Sequence, residues 1–168
     1  MGESNLFENV WDIPGRVWFK NKVKLRLNDI YNQKWSADVA NNSVCMNYKL
    51  ITEKKKLQRY FKLPSQYMYA LCKFRCANSK IPTIVGRYSN IPIEDRKCTL
   101  CESNEIGDEF HYLFKCSKFN DGRIKYIKKH YYNNPSEYKM NRLFNESNKK
   151  QMLNLSKFIY EVIQEFKN

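Results

Sequence analysis

Apolar residues along this chain recur at spacings of three and four rather than alternating, and that period predicts a mainly α fold. The clearest case is NKKQMLNLSKFIYEVIQEFKN at the C-terminus. There Met152, Leu155, Ile159, Val162 and Phe166 return to one face of an amphipathic helix over 149–167. After Pro64, SQYMYALCKFRC predicts a second helix, with Ser65 as its N-cap and Tyr67, Ala70, Leu71 and Phe74 as its inner stripe. PGRVWFKNKVKLRLNDIYNQKWSADV opens on Pro14, a good first-turn residue, and predicts a long helix with Val23, Leu27, Ile30, Trp35 and Val39 towards one side. TEKKKLQRYFKLP predicts a short helix, SKFNDGRIKYIKKHYY a basic one and PSEYKMNRLFN another short one. NSKIPTIVGRYSNIPIEDR, punctuated by Pro82, Gly86 and Pro92, reads as an ordered loop. No pair of alternating strands with a hairpin turn stands out; the one Asp-Gly pair, Asp121-Gly122, sits in helical surroundings.

At 168 residues, with 42% hydrophobic and 15% aromatic content, the chain is expected to fold as a single domain over 1–168, with a basic helical region over 1–44. Thirty Lys and Arg against seventeen Asp and Glu leave a net charge of +13, a field that attracts polyanions, and nucleic acid leads among them. Arg16, Lys20, Lys22, Lys24 and Arg26 crowd the first predicted helix, as a solvated basic face or as a surface that tracks a phosphate backbone. The first residues carry no basic-then-apolar leader pattern, and Leu6 stands where N-myristoylation wants Ser or Thr. No stretch approaches the roughly eighteen uninterrupted apolar residues of a membrane span. The expectation is an intracellular protein, nuclear or cytoplasmic, with no membrane partner.

That compartment changes how the cysteines read, because short regular spacings in a reducing environment signal metal ligands rather than disulfides. KCTLCESNEIGDEFHYLFKC contains Cys98-x2-Cys101-x9-His111-x4-Cys116, three thiolates and an imidazole. This is a Cys-Cys-His-Cys zinc knuckle over 96–118, embedded in the helical domain, whose four ligands close a tetrahedron and leave no position for a catalytic water. Gly107 is expected to reverse the chain, and Asp108 to cap a helix that begins at Glu109. His111 and Cys116 then fall in the first and last turns of that helix. Five residues of α-helix rotate a side chain by about 140°, so Cys116 reaches the same ion only if the helix ends or loosens there. Cys45, Cys72 and Cys76 lack a ligand set of this kind and are expected in the core.

With the knuckle in view, the chain resembles the zinc-binding region C-terminal to the reverse transcriptase of non-LTR (LINE-like) retrotransposons, of the type common in invertebrate genomes. The resemblance runs through KFRCANSKIPTIVGRYSNIPIEDRKCTLCESNEIGDEFHYLFKCSKFNDGRIKYI, then YYNNPSEYKMNRLFN and LSKFIYEVI, roughly residues 45 to 165. It implies zinc on Cys98, Cys101, His111 and Cys116, and a module that helps a reverse transcriptase hold RNA or target DNA. The polymerase part of a retroelement protein is then a partner. No aromatic-Ala-Asp-Asp box or Asp-Asp pair is present, so the chain is not expected to be a polymerase. Asp95, Asp108 and Glu109 read as caps and surface charge rather than nuclease ligands, and His130 as a solvated or partly stacked residue, so no enzymatic activity is expected. Phosphate contacts are expected at Arg87, Arg96, Arg123, Lys125, Lys128 and Lys129, with Tyr88, Tyr112, Tyr131 and Tyr132 as candidate stacking rings. The alternative is a structural or protein-interaction zinc module that never touches nucleic acid.

Overall fold

A computed structural model describes residues 15–42, 46–52 and 62–167. Nine α-helices and no strand are found among them: α1 (Arg16–Ala40), α2 (Met46–Ile51), α3 (Ser65–Arg75), α4 (Pro82–Tyr88), α5 (Glu109–Phe114), α6 (Asn120–Tyr126), α7 (Lys129–Tyr132), α8 (Glu137–Phe144) and α9 (Lys149–Gln164). The mainly α expectation holds. Two compact units divide in sequence between Asn41 and Asn42, and each is considered by itself.

The first unit is the helix α1. The expected inner face does not form, because none of its side chains is buried. Its apolar residues are spread around the axis: at about 100° per residue, Leu25 points to the side opposite Val23, and both are exposed.

In the second unit α9 is the central element. Asn148 caps it, its side chain accepting from the N–H groups of Lys150 and Gln151, and Met152, Leu155, Phe158, Ile159 and Val162 are buried along one stripe. That stripe packs on α3, which contributes Ala70, Leu71 and Phe74, and on α6. At the start of α3 the N-cap is Pro64 rather than Ser65, and no side chain caps it. α8, capped by Ser136, packs on α2, where Asn141 and Asn145 donate to the carbonyls of Leu50 and Ile51 at 2.8 and 3.0 Å.

Two sequence expectations are corrected. The Pro82–Pro92 stretch contains a helix, α4, begun by Pro82 in its first turn and held by buried Ile81 and Ile84. Residues 117–132 do not form one basic helix. A 3-10 turn (Ser117–Phe119) leads into α6, and Ile127 is extended (φ −112°, ψ 132°) before α7 begins. The break lets α6 pack on α9 while α7 turns to α8, which one straight helix of this length cannot do. The segment expected as a short helix at TEKKKLQRYFKLP falls mostly outside the described residues, and Cys45 falls outside them entirely.

Candidate metal centre

The loop before α5 is drawn closed by backbone pairing. The Cys98 N–H donates to the Glu105 carbonyl at 2.9 Å and the Gly107 N–H to the Arg96 carbonyl at 2.8 Å, around a single antiparallel bridge between Lys97 and Ile106. The left-handed residue in the loop is Asn104 (φ 56°), not Gly107, and no described glycine has a positive φ. Gly107 is required for a different reason: a Cβ there would lie 2.7 Å from the Tyr112 hydroxyl and 2.9 Å from Pro82 Cγ. Its missing side chain lets the loop press against α4 and α5.

Asp108 caps α5 as the sequence indicates, its Oδ1 accepting from the His111 N–H at 2.7 Å. The helix then stops at Phe114. The N–H groups of Lys115 and Cys116 both donate to the His111 carbonyl, at 2.8 and 2.9 Å, and Cys116 leaves helical geometry (φ −52°, ψ 123°). That loosening is the condition under which a residue five positions after His111 can face the same point. Cys116 therefore sits beyond the last helical turn rather than in it.

The four side chains converge. Cys98 Sγ is 3.6 Å from Cys101 Sγ and 3.9 Å from Cys116 Sγ, and Cys101 Sγ is 3.4 Å from His111 Nε2. All four ligand atoms lie within 4.8 Å of one another, the only such group among the described residues. A tetrahedral ion bound by sulfur at about 2.3 Å and nitrogen at about 2.05 Å requires S–S edges of about 3.8 Å and S–N edges of about 3.6 Å. These three edges come within about 0.2 Å of it, so the residues fit a four-coordinate metal ion.

The electrostatics favour a cation at that point. Burial pushes the Cys116 thiol up to about 12, with the neighbouring Cys98 and Cys101 sulfurs adding to it. At Cys101 burial acts in the same direction but is outweighed by hydrogen bonds with Ser103, Cys98 and His111, which bring it down to about 6. A dication among the sulfurs favours the thiolate at each of them. The Leu100 N–H, 3.4 Å from Cys98 Sγ, adds a backbone donor to the same sulfur.

Two supporting groups are not evident from the ligand spacing. Glu105 Oε2 lies 3.0 Å from His111 Nδ1, leaving Nε2 for the metal, and Glu105 Oε1 accepts from Lys115 Nζ at 2.8 Å. Lys115 first, then His111, hold the Glu105 carboxyl below its usual value. The carboxylate fixes the imidazole's orientation and tautomer, as partners of metal-bound histidines do. The signal in the sequence is a Glu placed between the second cysteine and the histidine.

The second group is Arg123, for which the expectation of a phosphate contact is corrected. Its side chain is buried, Nε donating to the Leu113 carbonyl at 3.0 Å and Nη2 to the Cys116 carbonyl at 2.8 Å. It thereby donates to the Leu113 carbonyl, which the end of α5 leaves without a helical partner, and to the Cys116 carbonyl, which also accepts from the Phe119 N–H at 3.3 Å. Arg96 is likewise committed to backbone, donating from Nε to Ile91 and from Nη1 to Thr83, at 2.8 and 3.0 Å. Arg87 is half-buried, with its guanidinium carbon 4.8 Å from the Tyr88 ring centre. Lys125, Lys128 and Lys129 are all exposed.

Of the four candidate stacking rings only Tyr88 is exposed; Tyr112 and Tyr131 are buried and Tyr132 is half-buried. Asp95 is exposed, but Glu109 is not surface charge: it is buried, accepts from Asn47 at 2.6 Å, and burial lifts its carboxyl to about 7. Cys76 is exposed and Cys72 half-buried, so neither is the fully buried core cysteine expected. His130 is exposed and rests 4.1 Å from the Tyr131 ring centre. No described helix is long and apolar enough to cross a membrane. Compared with protein families, curated proteins and solved structures, the chain finds no match in any of the three.

Proposed function

We propose that the chain is a zinc-stabilised nucleic-acid-binding module of the kind that follows the reverse transcriptase in non-LTR retrotransposons, acting inside the cell and without a catalytic centre of its own. Zinc is the ion that three thiolates and an imidazole in a tetrahedron select. When bound it supplies rigidity, since four protein ligands leave it no open position.

The observation that carries the reading is the path from the ligands to exposed lysines. Cys116 is tied through its carbonyl to Arg123, and Arg123 belongs to α6, the segment that presents Lys125 and leads to Lys128 and Lys129. A metal that orders Cys116 thus orders a basic surface. The net charge of +13 supplies the long-range attraction to phosphate, and nothing in the residues dictates base readout. The protein-interaction alternative asks for an exposed apolar stripe on the last helix, and the α9 stripe is instead covered by α3 and α6.

Titration of labelled RNA and DNA with the zinc-loaded chain at several salt concentrations tests the proposal. The expected result is micromolar or weaker binding with little sequence preference and a negative linear slope of log affinity on log salt. Replacing Lys125, Lys128 and Lys129 together by Gln should flatten that slope by roughly one unit per lost contact. Absence of binding at low salt leaves the interaction-module reading in its place.

A further inference from the structure

A groove of about 400 Å³ lies between α3, α4 and the end of α9. Three lysines line it, Lys73, Lys80 and Lys167, and no Asp or Glu among the described residues does. Two large rings stand in it with most of their surface in water: Tyr69 on α3 is 60% exposed and Tyr88 on α4 is 76% exposed. Of the strongly exposed rings in the second unit, Tyr69 and Tyr88 share the groove with the lysines, while Tyr138 on α8, 71% exposed, lies outside it.

Each ring carries a cation beside it. Lys73 Nζ lies 4.6 Å from the Tyr69 ring centre, the Arg87 guanidinium carbon 4.8 Å from that of Tyr88, and Lys167 Nζ 5.7 Å from that of Tyr160, a third ring of the groove. Lys80 reaches the Lys167 carbonyl at 3.4 Å, which holds it over the same side.

We propose that this groove is a track for single-stranded nucleic acid, with unpaired bases stacked on Tyr69 and Tyr88 and phosphates paired with Lys73, Lys80 and Lys167. Flat aromatic faces beside ammonium groups, with no Asp or Glu among the described lining residues, make a surface that a strand of bases on a phosphate backbone complements. A duplex keeps its base faces stacked inside and cannot use the rings. This inference rests on the nucleic-acid reading above and adds to its Lys125–Lys129 face a second surface and the strand state.

The test is fluorescence anisotropy of the full zinc-loaded chain with a labelled oligouridylate and with a labelled duplex of equal length. Changing Tyr69 and Tyr88 together to Ala should weaken single-strand binding about thirtyfold and duplex binding less than threefold. Phe at both positions should restore the loss. Replacing Lys73, Lys80 and Lys167 by Gln should flatten the single-strand salt slope by about two units. Both rings are exposed, so the variants should fold and retain their zinc, which native mass spectrometry checks. Wild-type binding that the Ala pair leaves within twofold would overturn the groove while leaving the nucleic-acid reading intact. Wild-type chain that binds neither probe overturns that reading, and the groove with it. Equal losses for both probes also count against the groove, because stacking acts only on unpaired bases.

Discussion

The ring of Phe166 meets the ring of Tyr112 edge to face, with centroids 5.1 Å apart. Tyr112 follows the candidate ligand His111 on α5, and Phe166 lies just past the end of α9, so the pair joins the candidate metal centre to the end of the central helix. Removing metal with a chelator should therefore speed amide exchange not only over 95–120 but also over 160–166. Hydrogen-exchange mass spectrometry reads this directly. Phe166→Ala should reduce the distant response while leaving the local one.

One zinc ion per chain is expected, released by Cys101→Ser, with loss of order around the knuckle. Native mass spectrometry of the two proteins makes the comparison. Cys72→Ala and Cys76→Ala should leave the stoichiometry unchanged, since neither belongs to the converging group. Retention of zinc by Cys101→Ser at wild-type affinity would remove that thiolate from the ligand set.

Glu105→Gln keeps all four ligands but loses the carboxylate that orients His111 and receives Lys115. The expected outcome is unchanged stoichiometry with metal affinity lowered about 10–100-fold. Competition against a chromophoric chelator measures it. An affinity equal to that of the wild type would make the Glu105 contact incidental.

Arg123→Met should destabilise the second unit by about 1–3 kcal/mol, because it leaves the buried Leu113 carbonyl without its side-chain donor and the Cys116 carbonyl with only the 3.3 Å bond from the Phe119 N–H. Denaturant unfolding gives the figure. Lys should not rescue it, since one ammonium does not reproduce the guanidinium fork.

Gly107→Ala should cost about 1–3 kcal/mol, because the added methyl falls against Tyr112 and Pro82. Thermal unfolding of the variant beside the wild type measures it.

What the sequence disclosed follows from the range of each interaction. The four ligands were legible because they lie close together in the chain and their spacing alone closes a tetrahedron. The α9 stripe and the Asp108 cap were legible because three- and four-residue periods and caps are local. Arg123 was misread because its charge is visible in sequence while the carbonyls that bury it are not. Tyr112 and Tyr131 failed as stacking rings for the same reason, and Tyr69 escaped notice because its exposure depends on where α4 and α9 lie. α4 was hidden by Pro82 and Gly86, residues that punctuate loops in general but here begin a helix and admit the Arg96 side chain.

The closeness of the ligands in the chain also bears on the order of folding. The loop from Cys98 to Cys116 closes over few residues, whereas α3 meets α9 only after the whole intervening chain is in place. Loop-closure entropy is thus small for the knuckle and larger for the helix pair. During synthesis the ligands emerge before α9 does, so a metal ion can capture them while the central helix is still being made. A metal bound at that stage would make the knuckle the first fixed point of the second unit, a seed for the helices rather than a clasp added at the end.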